Sequence, residues 1–502
     1  MGQKEALSIC SEAERHAPSS MTSLGKNLKV LLIQPPEVGG VKTLLPHFDR
    51  GMKDVGFKPP LGLLCVATAI DTLSSHKVKV IDAVAQKMNF EALIREVIQY
   101  QPDVVGISAW TDFWWPAYKT GELIKQALPN VHLCYGGPHV SIYPQETLSV
   151  DFADSVIVGD GEIPFLFLCN MVSHGDLSND FPGLHLKLGG VKSPPMLQFI
   201  QADLDALPIP DRSLLLSSHY GSVLSKGNLT TTMITSRGCP HRCSFCKLNF
   251  QKTIARSAQS IVDEFKEIKT LGISEVEIYD DTFTWGQERL RDICEGLIRD
   301  GNDVTWAVRD RVSAADPEMY ALMYKAGCRR IHLGIESGVQ RVLDRMQKRI
   351  TTDQALFAVA TAKKAGFEVL TYFMFGNLDE TVSDMKETIA FALKLNSDYA
   401  EFSITIPYPG TQMYEEALAT RIIPHDFWLD YTKHPMPDMK IPHVIENYAD
   451  LKTLQNLLNM AIRKFYFRPR YMVRELMRLR SAGEFIRKAR MGRHLARSVY
   501  VK

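Results

Sequence analysis

The chain has 502 residues, 45% of them hydrophobic and 23% charged, which is the composition of an ordinary soluble globular protein. Its 58 basic residues nearly balance its 57 acidic ones, so we expect no nucleic-acid partner held by a globally basic surface. The sequence has no apolar run of membrane-spanning length, no secretory signal core and no disulfide framework among its nine cysteines. These features predict a cytoplasmic protein with reduced thiols.

The N-terminal third of the chain alternates short apolar strands with amphipathic helices. Residues 1–27 are mixed and polar and are predicted to be a disordered tail. Residues 28–178 show strand–helix alternation, which is typical of a parallel sheet with helices on both faces, so we predict an α/β, doubly wound, Rossmann-like domain there. Its predicted strands lie at 30–33, 78–81, 104–107, 131–134 and 155–158, with helices at 61–73, 90–100, 116–127 and 144–148.

A connector rich in Pro, Gly and Ser, over residues 179–228, leads to a second alternating series. Residues 229–425 contain six predicted strand–helix units, which indicate an incomplete (β/α)6 TIM-like barrel with its active site at the carboxyl ends of the strands. Residues 426–502 are predicted to be helical, and from Ala461 onward they hold thirteen Lys or Arg residues against two acids. The predicted barrel strands lie at 231–235, 275–279, 304–308, 330–334, 368–374 and 400–406.

Three cysteines stand at the spacing C-x3-C-x2-C in the loop after the first predicted barrel strand. They are Cys239, Cys243 and Cys246. Three thiolates on one short loop can bind three irons of a 4Fe–4S cluster and leave the fourth iron open to a ligand. Phe245, inside the loop, could shield the cluster from water. The alternative is a structural zinc site with His241 as its fourth ligand.

This cysteine loop resembles the cluster motif of radical S-adenosylmethionine (SAM) enzymes. The resemblance implies that the three cysteines hold a 4Fe–4S cluster and that the open iron binds the amino and carboxylate groups of SAM. An electron from an external donor of the ferredoxin or flavodoxin type then cleaves SAM to methionine and a 5′-deoxyadenosyl radical. The protein places the cofactors and excludes water.

Segments at the ends of the predicted barrel strands carry the resemblance further. Because adjacent residues of a strand point to opposite faces, only one acid of a neighbouring pair is expected to reach SAM. Each segment also has a purely structural alternative. The acidic pair could cap a helix, the arginine could lie at the surface, and the glutamate that closes its strand could form a buried ion pair. Leu378 and Asp379 depart from the family pattern, which usually has Pro and Gly there. The residues implied for SAM are Phe245, Asp280 or Asp281 for the ammonium, Arg311 (with Arg309 as its rival) for the carboxylate, Glu336 and Ser337 for the ribose, and Phe375 near the adenine.

Residues 28–178 resemble the cobalamin-binding domain of one large subclass of these enzymes. The matching pieces fall at strand ends, where open α/β sheets bind ligands. The D-x-H-x-x-G signature of other cobalamin proteins is absent, since Val84 and Lys87 occupy its His and Gly positions, so the resemblance implies no axial histidine. The alternative is a sheet that binds another ligand or none. The residues implied for cobalamin are Asp82, Ser108, Thr111, Gly136, Gly137, His139, Gly159, Gly161 and Glu162.

The resemblance implies an enzyme that methylates an unactivated carbon of a small-molecule, lipid or tetrapyrrole-type substrate, by way of the 5′-deoxyadenosyl radical and methylcobalamin. Two alternatives stay open. One is a radical oxidative cyclase without methyl transfer, as in the anaerobic magnesium-protoporphyrin monomethyl ester cyclase group, and the other is a non-enzymatic cobalamin-binding sensor with a structural cluster. The basic tail is read first as a solvated basic face, and peripheral contact with an anionic membrane or an acidic partner stays open as the alternative.

Overall fold

A computed structural model describes most of the chain, and its contacts divide the described residues into two units. The first unit contains the described residues before position 42, those from Pro59 to 215, and Phe427–Lys440; the second contains the rest. Residues 1–27 are the predicted disordered tail, and residues 1–24 of it lie outside the described part of the chain. The structure describes residues 25–41, 58–178, 180–187, 197–215, 220–221, 224–225, 229–247, 252–440, 449–477 and 482–500.

The sheet of the first unit consists of six strands: β1 (Lys29–Gln34), β2 (Lys77–Asp82), β3 (Val104–Ser108), β4 (His132–Gly136), β5 (Ser155–Ile157) and β6 (Leu184–Leu186). Their order is β2-β1-β3-β4-β5-β6, and all are parallel except β6, which runs antiparallel to β5. The apolar side chains of the parallel strands are largely buried, as in sheets covered on both faces. Strand β6 lies in the segment predicted to be a connector, because three residues are too few to show alternation in the sequence.

Helices connect the strands of this sheet: α1 (Leu61–Leu73), α2 (Phe90–Tyr100), α3 (Trp114–Ala127), α4 (Pro138–Ile142), α5 (Pro144–Ser149) and α6 (Glu162–His174). Asn89 caps α2 by accepting a hydrogen bond from Ala92 N at 2.8 Å. The strand order reverses direction between β1 and β3, so the carboxyl ends of these two strands flank a switch point, where doubly wound sheets bind their ligands.

The sheet of the second unit also consists of six strands: β7 (Thr230–Met233), β8 (Glu275–Ile278), β9 (Thr305–Arg311), β10 (Cys328–Glu336), β11 (Glu368–Phe375) and β12 (Tyr399–Ile404). They are parallel and follow one another in chain order, so they form an open half-barrel, as the sequence predicts. All carboxyl ends therefore meet at one rim of the sheet, and this rim carries the candidate site.

Helices cover the outside of the half-barrel and make its core. The crossover helices are α7 (Ala258–Thr270), α8 (Gln287–Arg299), α9 (Pro317–Lys325), α10 (Gln340–Arg345), α11 (Thr352–Ala365) and α12 (Val382–Leu395). Helix α11 begins with a capping box formed by Thr351 and Gln354, and α12 begins with one formed by Thr381 and Asp384. The apolar faces of the helices pack against the outward side chains of the strands in one continuous core.

The chain ends in a series of helices: α13 (Gln412–Ala419), α14 (Phe427–Lys433), α15 (Leu451–Tyr466), α16 (Pro469–Met477) and α17 (Ala482–Tyr500). Helix α14 belongs to the first unit, where Trp114 Nε1 donates to Thr432 O at 3.0 Å. Helix α15 belongs to the second and buries Leu458 and Phe465 in its core. Among the described helices, none combines the length and apolar composition that crossing a membrane requires.

Candidate active site

The cysteine loop follows β7 and is held by backbone hydrogen bonds to residues distant in the sequence. Gly238, which precedes the first cysteine, has a φ of 85°, a left-handed conformation that glycine adopts without strain. Ser244 N donates to Met346 O at 2.9 Å, and Ser244 O accepts from Met413 N at 2.8 Å. These two bonds fix the middle of the loop between the end of α10 and the start of α13.

The three predicted cluster ligands lie together in this loop. Cys239 is buried, with Sγ 3.2 Å from Thr282 Oγ1, whereas Cys243 is half-buried and Cys246 is exposed. Desolvation of its sulfur, and then the neighbouring Cys243, Asp281 and Cys239, raise the pKa of the Cys246 thiol to about 12. Thiols crowded in this way fit an iron cluster, because a bound metal replaces the thiol proton and compensates the gathered negative charge.

The two adjacent acids after β8 have different surroundings. Asp280 is buried and accepts hydrogen bonds from Thr235 N at 2.6 Å, from Thr235 Oγ1 and from Ser236 Oγ at 2.7 Å. Asp281 is exposed, and its Oδ2 accepts from Gly238 N at 3.0 Å. Asp280 therefore braces the ends of β7 and β8, and Asp281 is the acid that lies against the cysteine loop.

The two arginines near the end of β9 also point to different places. Arg311 is buried, its Nη1 lies 3.5 Å from Cys243 Sγ, and its Nη2 donates to the backbone oxygen of Lys348. The Arg309 guanidinium instead covers the Tyr279 ring, 3.6 Å from the ring centroid. Arg311 is therefore the arginine that the fold brings to the predicted cluster ligands.

Glu336 ends β10 in a conformation that side chains rarely adopt. Its φ is 72°, and the pairing of β10 with β11 shifts between Gly334 and Glu336. Its Oε1 accepts a hydrogen bond from Lys348 Nζ at 2.7 Å, and both side chains are buried. The same ammonium lies 5.6 Å from the centroid of the Phe245 ring in the cysteine loop. The shifted register thus brings Glu336, Lys348 and Phe245 together beside the cysteines.

Two further residues predicted for SAM lie in the packing of the fold. Ser337 is buried, with Oγ 3.1 Å from Thr388 Oγ1 on α12. Phe375 is buried and stacks on Phe402, with ring centroids 5.8 Å apart. Ser337 Oγ also accepts from Val339 N at 3.2 Å, and none of these contacts brings Ser337 or Phe375 into the group around the cysteine loop.

The loop after β11 keeps a glycine-like turn without the family's glycine. Asp379, at the position where Gly is usual, has a φ of 61°. The buried Glu380 carboxylate accepts hydrogen bonds from Gly376 N at 2.8 Å and from Asn377 N at 2.9 Å. The turn therefore forms although Leu378 and Asp379 replace the family's usual Pro and Gly, and Glu380 fixes its backbone.

In the first unit, the loop after β2 lacks the D-x-H-x-x-G signature of other cobalamin proteins, but hydrogen bonds from its backbone to Asp82 give it a defined conformation. Asp82 Oδ1 accepts hydrogen bonds from Val84 N and Ala85 N, both at 3.1 Å. Lys87 has a φ of 54°, so it takes the left-handed conformation that glycine would have in the D-x-H-x-x-G signature. Asp82 therefore holds this loop, and the half-buried Val84 stands where an axial histidine would be.

Glycines at the ends of β4 and β5 differ in what surrounds them. A Cβ on Gly137, whose φ is 100°, would lie 2.9 Å from Ala109 O and 3.5 Å from Ser108 Oγ. A Cβ on Gly159, whose φ is 98°, would lie 2.1 Å from the backbone oxygen of Phe199. Packing of the chain itself therefore requires these two glycines. A Cβ on Gly136 would meet no atom within 4 Å, so this strand end borders open space that a large ligand could fill.

The remaining residues predicted for cobalamin surround the start of α4 and of α6. His139 is buried and stacks on Trp114 with centroids 4.3 Å apart, and its Nδ1 lies 3.3 Å from Thr111 Oγ1. Burial lowers the pKa of His139 to about 3, so the ring is neutral. Gly161 caps α6, and the buried Glu162 begins it, where a carboxylate is favoured by the helix dipole.

Comparisons with known proteins show the family to which the chain belongs. Residues 233–392 match the model of the radical SAM superfamily, and residues 53–167 match that of the B12 binding domain. The chain is 34% identical over 457 residues to an uncharacterized methyltransferase of Pyrococcus horikoshii, covering 90% of this chain and 95% of that protein. The chain belongs to the cobalamin-binding radical SAM enzymes.

More distant relatives of this radical SAM enzyme extend the likeness. An anaerobic magnesium-protoporphyrin IX monomethyl ester cyclase of Rubrivivax gelatinosus is 26% identical over 394 residues, covering 76% of this chain and 70% of that protein. The solved structure of OxsB, a cobalamin-dependent SAM radical enzyme, matches with a TM-score of 0.65 at 17% identity, over 99% of this chain and 77% of that chain. This likeness confirms the predicted fold class.

The family assignment confirms the predicted cofactors of the radical SAM enzyme, which are a 4Fe–4S cluster, SAM and cobalamin. Within the part of the chain that the structure describes, no three His, Cys, Asp or Glu side chains converge on one point as ligands of a single metal ion. The cysteine ligands of a 4Fe–4S cluster bind different irons of the cluster.

Sequence reasoning about this radical SAM enzyme missed Lys348. Its ammonium is 2.7 Å from Glu336 Oε1, and its backbone oxygen accepts from Arg311. Lys348 lies twelve residues after Glu336, past the end of α10 and outside any strand end. The sequence contains only a weak sign of it, which is the cluster of bases Arg345, Lys348 and Arg349.

Proposed function

We propose that this enzyme transfers a methyl group to an unactivated carbon of a small molecule. The observation that carries the proposal is the group formed by the cysteine loop, Arg311, Lys348 and Glu336 at the carboxyl rim of the half-barrel, in a chain with a methyltransferase relative of 34% identity. When bound, the cluster supplies the electron that cleaves SAM to a 5′-deoxyadenosyl radical, and cobalamin supplies the methyl group.

The residues of the second unit hold and orient SAM in this proposal. Cys239, Cys243 and Cys246 bind the cluster. Asp281, which lies against the cysteine loop, accepts from the SAM ammonium, and Arg311 next to Cys243 binds the carboxylate. Glu336 and its partner Lys348 face the ribose and the carboxylate, respectively. The assignments of Asp281, Arg311 and Lys348 follow from charge complementarity with the ammonium and the carboxylate of SAM, and that of Glu336 from the hydrogen bonds that a carboxylate accepts from ribose hydroxyls.

The residues of the first unit hold cobalamin in this proposal. The open space at Gly136 accepts the corrin edge, and the loop held by Asp82 lies at the carboxyl end of β2. Val84 carries no group that could bind cobalt, so this loop would supply no histidine to a bound cobalamin. The buried His139 and Thr111 contact each other after the strand ends and would line this part of the site.

A radical oxidation without methyl transfer is the second candidate function, favoured by the relative named as a magnesium-protoporphyrin cyclase. The mass of the product distinguishes the two reactions. A gain of one methyl group in place of hydrogen, labelled when methyl-labelled SAM is used, supports methylation. A loss of hydrogens or an insertion of oxygen without label supports the oxidative reaction.

The proposal is tested by anaerobic reconstitution, followed by iron and cobalt counts and incubation with SAM and dithionite. We expect 5′-deoxyadenosine from the wild type and none from Cys243→Ala, which should lose the visible absorbance of the cluster and keep cobalamin. Cys65→Ala, on α1, is the matched control and should keep both. If Cys243→Ala still cleaves SAM, the ligand assignment is wrong; if the reconstituted wild type cleaves no SAM with candidate substrates present, the sensor hypothesis gains.

Two partners complete the proposal. The electron comes from an external donor of the ferredoxin or flavodoxin type, because the chain's family chemistry consumes one electron.

The basic C-terminal helices lie on an anionic lipid surface. Helix α16 supports this, since four of its apolar side chains are between 54% and 75% exposed: Met472, Val473, Leu476 and Met477.

A further inference from the structure

Polar side chains line the inner face of the half-barrel. Residues that pair in register on parallel strands point to the same face. Arg309 on β9 pairs with His332 on β10, and Tyr372 on β11 pairs with Glu401 on β12. Gly334, between them, pairs with both Arg311 and Tyr372. These side chains therefore belong to the interior surface that ends at the rim with Arg311.

Deep in this interior, opposite charges compensate one another. Glu277 Oε1 lies 2.7 Å from Lys58 Nζ and 3.1 Å from Arg330 Nη2, and Glu275 lies 3.0 Å from the same Arg330 nitrogen. Burial alone would raise the pKa of Glu277, but Lys58 and Arg330 outweigh it and lower that pKa to about 2. The two positive and two negative charges of these four groups compensate one another.

Arg309 lies at the margin of this network. Its Nη2 is 3.7 Å from Glu277 Oε2, whereas Lys58 and Arg330 contact Oε1 of the same carboxylate, so three cations share Glu277 and one positive charge exceeds the two acids. One face of the guanidinium covers Tyr279, and the side chain is 30% exposed. A guanidinium keeps its positive charge at any ordinary pH. A half-buried guanidinium with N–H donors therefore favours the binding of an anion.

The neighbours of Arg309 are set to bind polar groups as well. Arg330 Nε donates to His332 Nε2 at 3.0 Å, so the neutral His332 carries its proton on Nδ1 and donates it to Tyr372 OH at 2.8 Å. The proton of the Tyr372 hydroxyl is then left to donate toward the interior. Glu401 is exposed and has no hydrogen bond or ion pair within the described parts of the chain.

We infer that Arg309, with the Tyr372 hydroxyl, binds an anionic group of the substrate and that Glu401 accepts a hydrogen bond from a donor group of the same molecule. The substrate is then a small polar acid, with a carboxylate or a phosphoryl group, and not an extended apolar ring system or polyisoprenoid. This inference rests on the proposed function, because it takes the barrel interior as the place of the reacting substrate.

The test measures binding of two probes, inorganic phosphate and acetate, to the anaerobically reconstituted enzyme by titration calorimetry. Arg309→Gln should weaken binding about tenfold or more, since it removes the charge and the fork of donors. Glu401→Gln should strengthen it, because a nearby negative charge is removed. Arg341→Gln, an exposed arginine on α10, is the matched control and should leave it unchanged.

Opposite effects at positions 309 and 401 support the inference, and the tighter of the two probes identifies the substrate as a phosphoryl compound or a carboxylic acid. No binding to the wild type, or equal losses in Arg309→Gln and Arg341→Gln, overturns it. A loss of SAM binding in Arg309→Gln would instead assign this arginine to SAM. Formation of 5′-deoxyadenosine by the same wild-type preparation is measured separately, and its absence overturns the proposed function without affecting the anion titrations.

Discussion

At the scale of single residues, the candidate site contains a buried ion pair in which each charge is compensated by the other. Glu336 and Lys348 are 7% and 6% exposed, and their charged atoms are 2.7 Å apart. Removing either partner leaves the other charge buried without compensation, whereas removing both leaves no such charge. Glu336 also adopts a φ of 72°, which the surrounding structure must enforce.

We therefore expect Lys348→Met to lower the free energy of unfolding by about 3 kcal/mol, because it leaves the Glu336 carboxylate buried and unpaired. The double variant Lys348→Met with Glu336→Gln should recover most of this loss. Lys394→Met, at an exposed lysine on α12, should change little. Denaturant unfolding of the wild type, Lys348→Met, Glu336→Gln and the double variant under anaerobic conditions measures the cycle, and additive losses in the double variant would contradict the pairing.

A second residue-scale prediction concerns the pH dependence of stability through Glu380. Burial raises its pKa to about 7 in the folded chain, against the hydrogen bonds from Asn377 and Gly376 that lower it, while its ordinary value is 4.5. The folded state therefore binds this proton more tightly. The stability that Glu380 contributes is complete below pH 4.5 and declines by roughly 3 kcal/mol as the pH rises to about 7.

Glu380→Gln should remove this decline. The free energy of unfolding of the variant, minus that of the wild type, should rise between pH 4.5 and 7 and stay constant above pH 7. Glu387→Gln, at an exposed position of α12, is the control and should keep the wild-type slope. Parallel pH profiles for Glu380→Gln and the wild type would show that Glu380 ionises normally in the folded protein.

At the scale of elements, the alternation of short strand-like segments with amphipathic helices was enough to predict both sheets, although not every strand is apolar throughout. The six barrel strands and the helices Leu61–Leu73, Phe90–Tyr100 and Thr352–Ala365 follow from that pattern. The pattern could not find β6, which is three residues long, or the register shift before Glu336. It also could not separate Asp280 from Asp281, because hydrogen bonds from Thr235 and Ser236 decide which acid is buried.

The open edge of the half-barrel gives an element-scale prediction. Ala400 lies on the edge strand β12, and its backbone N–H and C=O both bond to the Tyr466 hydroxyl of α15, at 3.0 and 2.7 Å. Tyr466→Phe removes both bonds and leaves two edge groups unsatisfied, so we expect a loss of about 2 kcal/mol of unfolding free energy. Tyr324→Phe deletes a hydroxyl without a hydrogen bond among the described residues and is the control.

Equal stability of Tyr466→Phe and Tyr324→Phe in urea unfolding would show that another group, or water, satisfies the strand edge. A larger loss in Tyr466→Phe would support α15 as the element that closes the edge of the sheet. The sequence indicated helices in this region but not their partner, because the pairing of a helix with a strand edge depends on one hydroxyl and not on a periodic pattern.

At the scale of the whole molecule, chain order does not follow the division into units. The chain forms the first unit, then the half-barrel, returns to the first unit over Phe427–Lys440, and ends again in the second. Trp114 and Trp115, through Thr432 O and Tyr431 OH, are the residues that receive the returning segment. No local pattern predicts such a return, since its contacts join residues more than 300 positions apart.

The last prediction concerns the surface that the molecule offers to a membrane. The exposed apolar residues of α16 are spaced so that Met472 and Leu476, and Val473 and Met477, lie one turn apart on one face. The exposed Arg470 lies in the first turn of this helix, within a tail of thirteen bases and two acids. We expect the enzyme to sediment with vesicles containing phosphatidylglycerol and not with phosphatidylcholine alone, because basic residues near the surface each contribute about 1 kcal/mol on anionic lipid.

Replacing Met472 and Leu476 together by Gln should release the enzyme from the anionic vesicles, since insertion of the apolar face is then lost. Phe357→Gln is the control, at a side chain of α11 that is 52% exposed. It tests whether the loss of any exposed apolar side chain releases the enzyme from vesicles, and it should leave sedimentation unchanged. Raised salt should weaken binding of the wild type and of Phe357→Gln, because it screens the lipid charge. Sedimentation that Met472 and Leu476 do not affect, or none with anionic vesicles, would mean that the basic face is solvated or meets an acidic protein.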